Sequence, residues 1–137
     1  MKAIRFQRYG PPEVLELRDV RTPAVGDDEV LVRVRAASVN PLDWHFMRGS
    51  PYLVRMLAGL SRPKASAGLL GADMAGSVEA VGANVAEFRP GDEVFGGLGE
   101  RGTLAEYVVI PRDGAVLAMP AGLTFEQAAS EIGRAHV

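Results

Sequence analysis

Residues 29–37 read Glu29-Val30-Leu31-Val32-Arg33-Val34-Arg35-Ala36-Ala37, and the fold turns on this stretch. Val30, Val32, Val34 and Ala36 recur at every second position, with Arg33 and Arg35 between them. A period of two sends successive side chains to opposite faces of a strand, so one face belongs to a core and the other to water.

The flanking sequence repeats this grammar in short pieces. Lys2 to Tyr9 reads as a strand with Ile4 and Phe6 on one face and Arg5 and Gln7 on the other, stopped by Gly10-Pro11-Pro12. Leu15 to Val20 is a briefer strand, and Thr22 to Asp28 is a polar, turn-rich link. Ala72 to Val81 is small and apolar, a buried strand punctuated by Gly71, Gly76 and Gly82. Arg89-Pro90-Gly91-Asp92 predicts a type II turn, because Gly takes the positive φ of its third position without steric cost. Val94-Phe95, Leu104 to Ile110 and Ala115 to Ala118 complete the strands.

Two places depart from the period of two. At Asn40 a helix should start: Asn is a good N-cap, Pro41 suits the first helical position and Asp43 can bond back to the cap. Leu53, Met56, Leu57 and Leu60 then form an amphipathic helical stripe ending near Gly59 to Pro63, read as core packing rather than a ligand role. Thr124 with Gln127 makes a capping box, so a second helix should open at Phe125.

Composition narrows the function. The 137 residues carry 15 Lys+Arg against 17 Asp+Glu, and 47% are hydrophobic, as expected of a single globular domain. A net charge of −2 argues against a nucleic-acid partner, which needs a clustered basic surface. No apolar run reaches the roughly 18 residues of a membrane span, and the N-terminus lacks a signal peptide's apolar segment, so the expected compartment is the cytoplasm. With no Cys, disulfides and sulfur-ligated zinc are excluded. The 16 Gly and 9 Pro exceed average usage and fit many turns between short strands.

Three stretches bear on chemistry. Gly97-Leu98-Gly99-Glu100-Arg101-Gly102 matches the dinucleotide fingerprint, but that fingerprint needs a helix next, and Thr103 to Pro111 is β-rich, so a hairpin loop is the preferred reading. The histidines are His45 and His136 alone; Asp43, His45 and Asp73 make a poor metal set, since positions two apart on a helix diverge. No Gly-x-Ser-x-Gly elbow supports a hydrolytic triad.

Taken in order, Met1 to Ile4, Ala36-Ala37-Ser38-Val39-Asn40-Pro41-Leu42-Asp43-Trp44, Gly71 to Val78, Val81-Gly82, Phe88 to Val94 and Ala105 to Val108 resemble the N-terminal GroES-like domain of medium-chain dehydrogenases/reductases, specifically the zinc-independent quinone oxidoreductase branch. The resemblance runs from Met1 to about Ala129. It implies a mainly β fold: a partly open β-barrel of short strands with one or two helices after Asn40, lacking the Rossmann domain that follows in the family. Zinc alcohol dehydrogenases carry a cysteine ligand where this chain has Asn40 and a His-Glu pair where it has Ala72-Asp73. No zinc is therefore expected.

The resemblance further implies an NADPH-dependent transfer of hydride to a quinone, enone or related carbonyl, with the cofactor bound mainly by the Rossmann domain and the full-length protein a homodimer. It puts Asn40 beside the nicotinamide, Asp43 in the framing helix and His45 near the substrate, where it is read as a proton donor or as a surface imidazole. Trp44, Phe46 and Tyr52 are candidates for an apolar pocket wall, with core packing the alternative for Trp44. Asp73 is expected to make a structural hydrogen bond.

The expected organisation is a truncated GroES-like catalytic domain over 1–130, inactive by itself. The tail 131–137 includes Ile132-Gly133-Arg134-Ala135-His136-Val137, which matches a translated sequencing adapter, so His136 is set aside. The competing reading is a stand-alone GroES-like binding module without catalysis.

Overall fold

A computed structural model describes residues 1–6, 9–39, 47, 71, 73–97, 103–114 and 116–130. Strand β1 (Lys2–Phe6) pairs antiparallel with β2 (Leu15–Asp19), with Lys2 opposite Asp19 and Phe6 opposite Leu15. A single 3-10 turn at Pro12–Val14 leads into β2. The second sheet contains β3 (Glu29–Ser38), β4 (Asp73–Val81), β5 (Glu93–Gly97), β6 (Tyr107–Pro111) and β7 (Val116–Ala118). Their order is β6-β3-β4-β5-β7 and every pairing is antiparallel. A short helix, α1 (Phe125–Ala129), packs on β3, β4 and β5. This is a mainly β architecture whose sheets do not close on themselves, the partly open barrel that the sequence implied.

The valine alternation of β3 builds the main core. Val30 and Val32 are fully buried among Met74, Val78, Val94, Val108 and Ile110, and Val34 packs at their edge. Burying each such side chain stabilises the fold by roughly 1.5–3 kcal/mol. Arg33 and Arg35 are exposed, as the alternation requires.

The expected face of Ala36 is corrected by the structure. A register irregularity lies between Val34 and Ala36, where β3 carries one more residue than β4 opposes to it. An inserted residue shifts the alternation by one. Ala37 therefore joins the valine core, while Ala36 turns to the opposite face and meets Ala75, Ala128 and Ala129 under α1. Small side chains on both surfaces let helix and sheet come close.

The N-terminal strand is also corrected. It is described over Lys2–Phe6, and besides Phe6 it buries Ala3 on the opposite face, while Ile4 is half-buried. Ala3 forms an isolated bridge with Ala105, just ahead of β6, which covers that side of the strand. Leu104 to Glu106 consequently does not extend β6, as the sequence reading had it. Ile4 N–H donates to the Leu104 carbonyl at 2.9 Å, Glu106 N–H donates to Lys2 at 3.0 Å, and Val34 N–H donates to the Glu106 carbonyl at 2.9 Å. Backbone groups spent on joining two sheets are unavailable to a regular ladder.

Local signals were reliable. Gly91 has φ +95° and Asp92 N–H donates to the Arg89 carbonyl at 3.1 Å, as in a type II turn, and the Asp92 carboxylate adds a bond from Arg89 N–H at 3.0 Å. Both bonds of the capping box are present: Gln127 N–H to Thr124 Oγ1 at 3.1 Å and Thr124 N–H to Gln127 Oε1 at 3.0 Å. The helix expected from Asn40 and the stripe from Leu53 to Leu60 lie outside the described residues. Met47 is described, is helical, and is buried with Phe6 and Val14.

Candidate functional site

One end of the larger sheet gathers the chain segments that carry the candidate residues. Ser38, the last residue of β3, stands opposite Asp73, the first of β4, and Asp73 in turn stands opposite Gly97, the last of β5. In sequence, Ser38 leads to Asn40 and the candidate segment, Asp73 follows its exit, and Gly97 opens the glycine-rich run. Antiparallel pairing accounts for this convergence, because neighbouring strands begin and end at the same edge.

Two described residues hold that edge together from inside. Thr103 is fully buried, and its hydroxyl donates to the Asp73 backbone carbonyl at 3.1 Å. Its backbone N–H donates to the Gly71 carbonyl at 3.2 Å. Gly71 has φ +104°, and a Cβ there would stand 2.2 Å from Thr103 Oγ1. Only glycine fits this backbone angle and this approach.

Asp73 is the buried charged residue among those described, at 8% exposure. The bond from Thr103 goes to its main chain, so Thr103 holds the strand itself. Of the other residues named from sequence, Asn40, Asp43, Trp44, His45, Phe46 and Tyr52 all lie outside the described residues. Sequence reading missed Thr103. The available signal was a hydroxyl residue wedged between Gly102 and the apolar run that becomes β6.

The fingerprint reading of Gly97 to Gly102 gains nothing from the fold. The regular element that follows in residues 103–114 is strand β6, where a helix would be needed to meet a pyrophosphate. Among the described residues no three His, Asp or Glu side chains group as metal ligands, and no helix is long and apolar enough to cross a membrane.

Comparison with known proteins converges on one family. Residues 26–121 match the alcohol dehydrogenase GroES-like domain. Quinone oxidoreductase from Sus scrofa is 37% identical over 131 residues, covering 95% of this chain and 37% of that protein. The solved quinone oxidoreductase from Coxiella burnetii superposes with a TM-score of 0.84 at 36% identity, over 96% of this chain and 40% of the other. Escherichia coli quinone oxidoreductase complexed with NADPH gives a TM-score of 0.80 at 27% identity, over 96% and 37%.

A GroES-like domain with these relatives defines the class. The chain belongs to the medium-chain dehydrogenase/reductase superfamily, in its quinone oxidoreductase-like branch. It spans a little over a third of the length of the curated relative from Sus scrofa.

Proposed function

We propose that this domain is the substrate side of an NADPH-dependent oxidoreductase that transfers hydride to a quinone, enone or related carbonyl. The observation that carries the reading is likeness to quinone oxidoreductases along 95% of the chain, including the sheet edge just described. One such relative was solved with NADPH bound.

The described residues do not fit the phosphate end of a dinucleotide, because β6 rather than a helix follows the glycine-rich run. Binding of the pyrophosphate is assigned to a Rossmann domain of the whole enzyme, and no step is derived through it. NADPH, when bound, supplies the hydride. This chain's part is to hold the acceptor: Asn40 lies beside the nicotinamide, Trp44, Phe46 and Tyr52 wall off water, Asp43 frames the segment, and His45 delivers a proton to the reduced oxygen. Asp73 serves as a structural anchor at the start of β4. The absence of a Cys at position 40 and of a His-Glu pair at 72–73 supports a reaction without zinc. With no metal to polarise the carbonyl, hydrogen bonds must stabilise the developing oxyanion. A homodimer is the proposed setting on the resemblance, and the cytoplasm on the absence of an apolar signal segment near Met1.

The test is quinone-dependent oxidation of NADPH by an enzyme that carries this domain at the full length of its relatives. Turnover with p-benzoquinone or an enone supports the reading. Binding of quinone without turnover at that length would favour a stand-alone binding module instead.

A further inference from the structure

We infer that the open edge of β2 is a self-association surface, on which a second copy of this chain pairs antiparallel through its own β2 with Leu17 opposite Leu17. The inference is independent of the reaction proposed above, because it uses only the N-terminal hairpin.

The hydrogen-bond pattern leaves this edge free. Met1 and Val20 exchange two bonds: the Met1 amino group donates to the Val20 carbonyl at 2.7 Å, and Val20 N–H donates to the Met1 carbonyl at 2.8 Å. Bonded and non-bonded pairs alternate along an antiparallel ladder, so the pairs Lys2 with Asp19 and Ile4 with Leu17 are non-bonded. The backbone of β1 agrees. Glu106 N–H donates to the Lys2 carbonyl and Ile4 N–H to the Leu104 carbonyl, on the side of β1 away from β2. The N–H and C=O groups of Leu17 and Asp19 accordingly point away from β1, along the outer edge of β2. That edge has no second neighbouring strand among the described residues. Glu16 to Asp19 are all exposed, and Leu17 shows 69% of its surface.

A free edge with an exposed leucine is a template for another strand, and charges on such an edge ordinarily discourage pairing. Here the charges select one partner instead. Glu16 and Arg18 share one face of β2 and form an ion pair within the strand. A two-fold antiparallel pairing centred on Leu17 puts Glu16 of each copy opposite Arg18 of the other, in non-bonded pairs where side chains stand closest. The same register makes Leu17 with Leu17 a bonded pair, using the groups that point outward, and sets the two exposed leucines side by side on the opposite face. Centring on Glu16 or on Arg18 would bring like charges together and would call on backbone groups already bonded to β1. The ladder ends at Leu15, whose N–H is spent on the Pro12 carbonyl. A second β2 in this one register satisfies backbone, charge and apolar surface together.

The surface is small, so the association is weak, with an expected dissociation constant on the order of 100 μM. The experiment is sedimentation equilibrium of the chain at concentrations up to about 1 mM, roughly tenfold above that constant, with circular dichroism to confirm the fold of each variant. The wild-type mass should rise with concentration from 14.6 kDa toward twice that value. Arg18→Glu and Glu16→Arg each set like charges opposite one another and should weaken association at least about tenfold, while an equal mixture of the two variants should associate as the wild type does. Leu17→Pro removes an outward N–H that the β1 ladder does not use, and should stay monomeric. Leu117→Lys, at the exposed leucine of β7, should associate normally. A wild-type chain that is monomeric at the highest concentration overturns the proposal. A dimer that survives Leu17→Pro, or a mixture of folded charge variants that stays monomeric, also overturns it and assigns the contact to another surface. Where a variant loses the fold, amide exchange of the wild type decides: Leu17 N–H should gain protection as concentration rises, and unchanged exchange at Leu17 in a dimer overturns the pairing.

Discussion

Glu106 holds Lys2 at two points: its carboxylate accepts the Lys2 backbone N–H, and its own backbone N–H donates to the Lys2 carbonyl at 3.0 Å. Its carbonyl meanwhile accepts from Val34 N–H in β3. Together with the Ala3–Ala105 bridge and the bond from Ile4 N–H to the Leu104 carbonyl, Glu106 therefore links the N-terminal hairpin to the five-stranded sheet. Without these links the two-stranded unit would be left to its own marginal stability.

This predicts an asymmetry between two substitutions. Glu106→Ala should lower stability by about 1 kcal/mol, less than a buried bond to a charged group contributes because this one is exposed to water. Glu106→Gln keeps an acceptor oxygen and should lose less. Urea denaturation distinguishes them, and identical midpoints for wild type and Glu106→Ala would remove the carboxylate from the joint.

Two glycines should fail for different reasons. A Cβ on Gly76 would lie 2.1 Å from the Arg33 carbonyl oxygen, a main-chain atom that cannot step aside. Gly76→Ala should therefore cost about 3 kcal/mol or more, at the upper end of overpacking effects. Gly91 has open space around its missing Cβ but φ +95°, so Gly91→Ala should cost only about 1–2 kcal/mol of backbone strain. Gly91→Asn should recover part of this, since Asn tolerates a positive φ better. Equal losses at the two positions, measured by thermal melting, would contradict the geometry.

Removal of the Thr124 side chain leaves the Gln127 N–H without its acceptor at the start of α1. Thr124→Ala should cost about 1 kcal/mol, with Thr124→Ser close to wild type. Because Ala128 and Ala129 dock on Ala75, amide exchange should rise at these helix residues before it rises in β3. Uniform exchange across both would show that α1 is not a separate unit.

Among the described residues, Asp19 contributes traceably to acid stability. The hydrogen bond from Lys2, followed by its charge, holds the Asp19 carboxyl below its ordinary value of 3.8. A carboxyl whose folded value is lowered contributes stability that is fully present above the unfolded value and is lost as pH falls through the folded one. Both partners are exposed, so the effect is small and screened by salt. Wild type and Asp19→Asn should differ slightly near neutrality and converge below pH 3.8. A gap that widens on acidification would reverse the assignment.

If His45 delivers the proton in the proposed reaction, the rate should fall as pH rises through the imidazolium range, around 6.5 for an unperturbed histidine. His45→Phe should flatten that limb of the profile in the full-length enzyme. An unchanged limb would leave His45 as a surface imidazole.

What this sequence determined by itself is what neighbouring residues settle among themselves. The β3 alternation, the Arg89 to Asp92 turn and the Thr124 to Gln127 box each involve positions within a few residues of one another, where periodicity and side-chain chemistry suffice. The family pattern also lies in linear order along the chain. Tertiary structure decided the rest. Which face Ala36 takes depends on a bulge against β4, Leu104 to Glu106 leave β6 to meet a strand about a hundred residues earlier, and Thr103 finds its partner thirty residues away. Backbone hydrogen bonds are indifferent to side-chain identity, so a bulge, a bridge between sheets or a buried hydroxyl on a distant carbonyl leaves almost no trace in local sequence. They exist only once the strands are assembled, and they tie together the edge where the candidate site begins.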